Sequence, residues 1–251
     1  MLLAVDVGNT QILIGLLQGA DLVDQWRLAT HADRTSDEYS VLIGQLIREA
    51  DVDGIVISSV VPRATAALRD MATRYFGFPP VVIEPGVRTG MPILIDDPKE
   101  VGADRVVNAV GAYDRYGGPT IVVDFGTATT LDAVSAKGEY LGGAILPGIE
   151  ISMDALFARA DRLYRVELVE PRSVIGKSTV ESLQSGAIYG FSAQVDGICR
   201  RMEDELGECT VVATGGLSGL MARYSSSIEQ LDPWLTLHGL RLVFDRNRDR
   251  R

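Results

Sequence analysis

The chain has 251 residues, 46% of them apolar and 23% charged, which places it among folded globular proteins with a sizeable core. Its formal charge of −10 argues against nucleic acid or an anionic membrane as a partner, because the long-range field repels phosphate, so any phosphate must be held by local donors and a metal. No stretch approaches the roughly 20 apolar residues that a bilayer span requires. The amino terminus carries no basic region before its apolar run, which Asp6 soon interrupts. Only Cys199 and Cys209 are present, in a spacing that matches no metal pattern, so buried free thiols in a reducing, cytoplasmic setting are expected.

In chain order, Leu2 to Thr10 reads L-L-A-V-D-V-G-N-T, an apolar strand that delivers Asp6 to a sheet rim and turns at Gly8. Gln11 to Leu17 and Leu22 to Leu28 read as the second and third strands. Thr35 offers a helix cap and Asp37 and Glu38 an acidic first turn, for a helix to about Ala50 with Tyr39, Leu42, Ile43, Leu46 and Ile47 inward. Gly54 to Val60 is a continuous β-branched strand of the kind covered on both faces. Pro62 opens a helix to about Phe76, and Pro80 to Ile83 is a short strand. Pro85, Gly86, Gly90, Pro92 and Pro98 then break the pattern into a loop. A helix from Glu100 to Tyr116 leaves Asp104 and Arg105 near its first turn.

The second half repeats the first. Ile121 to Thr130 reads I-V-V-D-F-G-T-A-T-T, with Asp124 and Gly126 standing where Asp6 and Gly8 stand before. Thr129 to Val134 and Tyr140 to Leu146 read as its second and third strands. The whole is an internal duplication of a strand-turn-strand-turn-strand unit. A helix of about Glu150 to Ala160 follows, then an irregular stretch from Arg162 to Lys177. Ser178 begins a long helical pattern interrupted by Gly186, Gly190 and Gly197, which suit either close packing by another backbone or tolerance within one core. Cys209 to Ala213 is a strand ending in Thr214-Gly215-Gly216. Pro233 to Phe244 reads as a helix, and Asp245 to Arg251 as a frayed charged end. The alternation predicts α/β architecture in two domains, 1–117 and 118–251.

Each motif has a plain structural reading. A D-x-G-x-T turn alone is no more than a hairpin, but two copies in register favour a phosphate site, with the amides and hydroxyls of Thr127, Thr129 and Thr130 as donors. Gly215-Gly216 lets a ring or sugar lie on bare backbone and exposes helix amides. Gly102-Ala103-Asp104-Arg105 could be simply a helix start with its dipole-favoured acid, yet it adjoins the proline-broken loop and the second turn. Gly176-Lys177-Ser178 fails as a P-loop because Pro171 stands where a glycine is needed. His31 and His238 are remote from any nucleophile pattern and read as surface or structural.

Together D-V-G-N-T, G-A-D-R, D-F-G-T-A-T-T, G-G-A-I-L-P-G at Gly142 to Gly148, and T-G-G at Thr214 to Gly216 resemble the type III pantothenate kinases, in that order and over nearly the whole chain. The resemblance implies the acetate and sugar kinase, heat-shock 70 and actin superfamily fold: duplicated ribonuclease-H-like domains with mixed sheets flanked by helices, as a homodimer. It implies transfer of the ATP γ-phosphate to the terminal hydroxyl of pantothenate, the first step of coenzyme A synthesis. Asp6, Val7, Gly8, Asn9, Thr10, Gln11, Ile12 and Leu13 would hold the ATP phosphates, with Asp6 orienting Mg²⁺ through water. Thr127, Gly215 and Gly216 would meet the nucleotide. Asp104 would be the base, Gly102, Ala103, Asp104 and Arg105 would line the pantothenate pocket, and Thr179 would reach pantothenate from the neighbouring subunit. Asp124 would hold a monovalent cation, potassium or ammonium. Where the family commonly sets a tyrosine against the substrate, this chain has Ile95. That departure motivates the competing expectations of a weak or inactive relative acting as a nucleotide-binding accessory protein, and of a kinase or phosphatase for another acceptor.

Overall fold

A computed structural model describes residues 1–248 and divides the chain into two compact units, Met1–Asp114 with the stretch beginning at Trp234, and Arg115–Pro233. The first unit holds a five-stranded sheet of β1 (Leu2–Val7), β2 (Gln11–Gln18), β3 (Asp21–Ala29), β4 (Gly54–Ser59) and β5 (Val81–Val82) in the order β3-β2-β1-β4-β5. β1–β2 and β2–β3 pair antiparallel, β1–β4 and β4–β5 parallel. Leu3, Val5 and Val7 pack with Tyr39 and Ile43 of α1 (Ser36–Ile47) and Leu68 and Met71 of α2 (Pro62–Met71). Thr35 caps α1 reciprocally with Glu38. α2 runs on into one wide turn, Ala72–Phe76, closed by left-handed Gly77.

The second unit repeats the sheet with β6 (Thr120–Phe125), β7 (Ala128–Val134), β8 (Tyr140–Pro147), β9 (Thr210–Thr214) and β10 (Gln230–Leu231) in the order β10-β9-β6-β7-β8. The pairing senses match those of the first sheet. The duplication therefore covers five strands, two more than the sequence pattern revealed. Ile121, Val123, Phe125 and Leu131 form a core with α4 (Ile149–Arg159), α5 (Thr179–Ser185) and α6 (Phe191–Leu206), beside the one-turn α7 (Ser218–Met221). Gly186 and Gly190 bound a wide turn joining α5 to α6. Apart from the adjoining backbone of their own helix, no heavy atom of the described residues lies within 4 Å of where their β-carbons would stand, so within one chain they serve the turn and not a close backbone approach.

Three expectations are corrected. α3 (Ala103–Tyr116) begins later than Glu100, which belongs to a short 3₁₀ turn. The final helix, α8 (Leu235–Asn247), returns to the first unit, so the second domain is not a continuous 118–251. The reason is steric fit. Leu2, Ala4 and Asp6 face away from α1 and α2, and glycines opposite Ala4 and Leu2 admit a helix there. A β-carbon on Gly15 would stand 2.7 Å from Leu237, and one on Gly54 2.3 Å from the Phe244 ring. α3 packs on α8 almost backbone to backbone, since a β-carbon at Gly239 would stand 2.0 Å from the Val107 carbonyl, and Thr236 donates to Asn108 at 2.7 Å. The end expected to fray is helical through Asn247, whose amide pairs with the backbone of Arg88; Asp249, Arg250 and Arg251 lie outside the described residues.

Candidate active site

The first strand-tip turn swings about Asn9 and Thr10, with the Gly8 amide donating to the Gln11 carbonyl at 3.0 Å. Thr30, just past β3, steadies it by donating its hydroxyl to the Gly8 carbonyl at 2.7 Å and its amide to the Thr10 carbonyl at 2.9 Å. Asn9, Thr10 and Gln11 are exposed, whereas Val7 and Ile12 bury their side chains in the core and offer a ligand only main chain. Asp6 is half-buried, directly opposite Leu13 on β2 and Ser58 on β4. The Ser58 hydroxyl is buried without a hydrogen-bond partner among the described residues.

The second turn is tighter, with the Gly126 amide donating to the Ala128 carbonyl at 3.0 Å and Thr127 exposed at its apex. Asp124 is half-buried, opposite Thr130 on β7 and Thr214 on β9. Two distant glycines wall the turn. A β-carbon on Gly148 would stand 2.2 Å from the Thr127 carbonyl oxygen, and one on Gly215 2.3 Å from Asp124 Oδ1. Gly215 also has φ +92, a conformation that strains any other residue. Ser218 donates its hydroxyl to the Gly215 carbonyl at 2.7 Å. Gly216 is exposed, with open space where a side chain would stand, as a surface for a flat ligand requires. The structure thus gathers Asp124, Gly126, Thr127, Gly148 and Gly215 around one turn.

It does not gather the three threonines as phosphate donors. Thr129 pairs with Phe125, and its buried side chain shares that residue's core-facing side. Thr130 gives its proton to the Asp132 carboxylate at 3.1 Å. Asp132 and its second donor, Tyr140, escape a motif reading; the available signal was a carboxylate inside the otherwise apolar strand L-D-A-V.

Asp104 stands in the first turn of α3, where the helix dipole favours an acid. Its Oδ1 accepts from the Arg105 amide at 2.8 Å and lies 2.5 Å from where a β-carbon on Gly102 would be. Glycine at 102 therefore makes room for the carboxylate. Because α3 rests on α8, and α8 on the sheet face that carries Asp6, both carboxylates lie on the same side of the first sheet. Ala103 and Arg105 are half-buried beside Asp104, and Ile95 is half-buried in the preceding loop. That loop is tied at Arg88 by Asn247 and at the Thr89 carbonyl by Arg246. Thr179 is exposed at the first residue of α5, which Ser178 caps by accepting from the Glu181 amide.

Among the described residues no three His, Cys, Asp or Glu side chains cluster to hold a metal. Single carboxylates at strand tips, amid hydroxyls and backbone, are the donor set of a hard cation shared with a ligand's own oxygens. Cys199 and Cys209 are free and buried; burial pushes their thiols up to about 12 and about 11, which makes both inert at neutral pH. His238 pairs with Asp114 at 2.8 Å, a structural role.

A family model described as type III pantothenate kinase matches residues 2–201. A type III pantothenate kinase of Moorella thermoacetica is 55% identical, the match covering 98% of this chain and 100% of that one. Among solved structures, a Campylobacter jejuni protein assigned to the Baf family of transcriptional activators superposes with a TM-score of 0.62 at 22% identity, over 98% of this chain and 99% of that one. A Streptococcus pneumoniae protein of the ROK family, in complex with sucrose, does so with a TM-score of 0.57 at 11% identity, over 99% of each chain. The two structural likenesses bear on fold alone.

Proposed function

This chain belongs to the type III pantothenate kinase family, a family of kinases, and from that premise we propose that it transfers the γ-phosphoryl group of ATP to the terminal hydroxyl of pantothenate. The hydroxyl oxygen attacks the γ-phosphorus, the bond from that phosphorus to the β–γ bridging oxygen breaks, ADP leaves, and Asp104 takes the hydroxyl proton. The observation that carries this reading is the Asp104 carboxylate, seated in the space Gly102 leaves open and aligned by the Arg105 amide. Such transfers need little beyond positioning and charge neutralisation.

Asp6 and the exposed turn Asn9 to Gln11 would take the ATP phosphates, and Asp6 would be the residue that holds Mg²⁺ beside them. Thr127 and Gly216 meet the nucleotide, and Asp124 takes potassium or ammonium. Bound cations would neutralise the charge on the phosphates; the chain's own groups hold the donors and the proton acceptor in place. Arg105, with Gly102 and Ala103, faces pantothenate, and its planar fork suits a carboxylate. A homodimer is supported by the exposed Val169, Val174 and Ile175 just ahead of Thr179, and would let Thr179 reach a partner's pantothenate. We place the protein in the cytoplasm, in keeping with its two unpaired thiols.

Coupled ATP turnover with pantothenate, Mg²⁺ and potassium or ammonium tests the proposal. Asp104→Asn should lower turnover by about 10² to 10⁴ while ATP affinity stays near the wild-type value. Folded protein that binds ATP but forms no product at millimolar pantothenate would favour the second reading, a nucleotide-binding accessory protein. That reading draws on Ile95, which stands where the family resemblance leads one to expect a tyrosine. An acceptor screen at fixed ATP tests for a different hydroxyl substrate.

A further inference from the structure

Asp132, in the middle of β7, has no exposed surface. A carboxylate is costly to bury unless hydrogen bonds replace its water. Tyr140 donates its phenol to Oδ1 at 2.6 Å, and Thr130 donates its hydroxyl to Oδ2 at 3.1 Å. Thr130 stands directly opposite Asp124 across the β6–β7 pair, and Val122 stands opposite Asp132. Strand alternation therefore puts Asp124, Thr130 and Asp132 on one face of the second sheet.

A hydroxyl carries a single proton. With that proton committed to Asp132, Thr130 can offer a ligand only lone pairs. On the other flank of Asp124, Thr214 is 1% exposed and its hydroxyl has no hydrogen-bond partner among the described residues. Phosphate needs donors, whereas this rim presents one carboxylate, a Thr130 oxygen whose proton is spent, and a Thr214 hydroxyl whose lone pairs can serve a cation. Hard oxygen ligands with one formal charge match a monovalent cation better than a divalent one.

We propose that Asp132 and Tyr140 are positioning residues that turn Thr130 into a ligand for the monovalent cation at Asp124, with Thr214 as a further oxygen. The inference rests on the cation reading of Asp124. Cation binding is measured directly with thallous ion, a potassium mimic, by thallium NMR, alongside the potassium dependence of turnover. Thr130→Val should weaken thallous binding and raise the half-activating potassium concentration by the same factor, about tenfold or more, with the pantothenate KM unchanged. Thr130→Ser, which keeps the oxygen, should restore both. Asp132→Asn should weaken binding by about 10- to 100-fold, and Tyr140→Phe by less. Thermal melting of each variant checks its fold; should Asp132→Asn not fold, the Thr130 pair decides alone. If thallous binding is lost in Asp124→Asn but kept in Thr130→Val, this inference is wrong and the Asp124 reading stands. If the wild type binds no thallous ion, or binds it as well after Asp124→Asn, both fall.

Discussion

The two strand-tip turns share one scaffold and differ by a residue in length. The first turns about two residues, Asn9 and Thr10, and sets Asp6 opposite Leu13. The second turns about Thr127 alone and sets Asp124 opposite Thr130. Each carboxylate has on its other flank a buried hydroxyl, Ser58 or Thr214, with no hydrogen-bond partner among the described residues, so the difference lies in the antiparallel neighbour. On the proposed reading, an apolar neighbour would leave Asp6 to act through what its exposed turn binds, and a hydroxyl neighbour would let Asp124 ligate an ion beside it. One residue of turn length thus suffices to give two copies of a unit different neighbours for the same carboxylate.

The largest expected effect breaks the comparison outright. Asp6→Asn should lower kcat by about 10²- to 10³-fold at every potassium concentration, as loss of a preorganised charge does. Asp124→Asn should instead flatten the potassium response and leave dependence on Mg²⁺ intact. Matching cation profiles for the two variants would remove the distinction. Next in size is the wall of the second turn. Gly215→Ala places a methyl against Asp124 Oδ1 in a strained conformation and should cost about 1–3 kcal/mol or more in urea unfolding, whereas Gly216→Ala should stay within about 0.5 kcal/mol. Gly8→Ala in the first turn meets only the Gln11 carbonyl, at 3.1 Å, and should fall between them.

The fifth strands offer a comparison of support. β5 follows the wide turn and Gly77, while β10 follows a serine loop that Asp196 of α6 holds through the hydroxyls and amides of Ser225, Ser226 and Ser227. Burial alone would raise this carboxyl, but those hydrogen bonds outweigh it and hold it below its ordinary 3.8. A depressed folded value means stability that is present above pH 3.8 and lost as pH falls through the folded value. Asp196→Asn should therefore cost about 1–3 kcal/mol near neutrality, and the gap to wild type should close on acidification; a gap constant down to pH 2 would contradict the assignment. Smallest are the two orphan hydroxyls. Ser58→Ala and Thr214→Val should each change stability without potassium by less than about 1 kcal/mol, since neither hydroxyl has a partner to lose. Added potassium should raise the Tm of wild type and Ser58→Ala more than that of Thr214→Val.

Much of this was legible in the chain. Asp6, Asp104 and Asp124 could be placed at strand tips and a helix start because an apolar run ending in Asp and Gly, or a Gly-x-Asp ahead of a helical period, is a local pattern. The capped start of α1 at Thr35 and the failure of Gly176-Lys177-Ser178 as a P-loop were readable for the same reason. That the Thr129 and Thr130 hydroxyls turn away from a phosphate was not, because which face a threonine takes depends on register with β6. Asp132 stayed hidden because its donors are set by pairing, not by spacing from a motif.

By itself the sequence determined the duplicated strand units, their acidic tips and the helices between them, since alternation, caps and glycine turns act over a few residues. Only the tertiary structure decided that α8 returns to the first sheet, where Gly15 and Gly54 leave it room, and that Asp124 rather than Asp6 has a hydroxyl opposite it on the antiparallel strand. Both depend on contacts between residues far apart in the chain, whose fit no local propensity encodes.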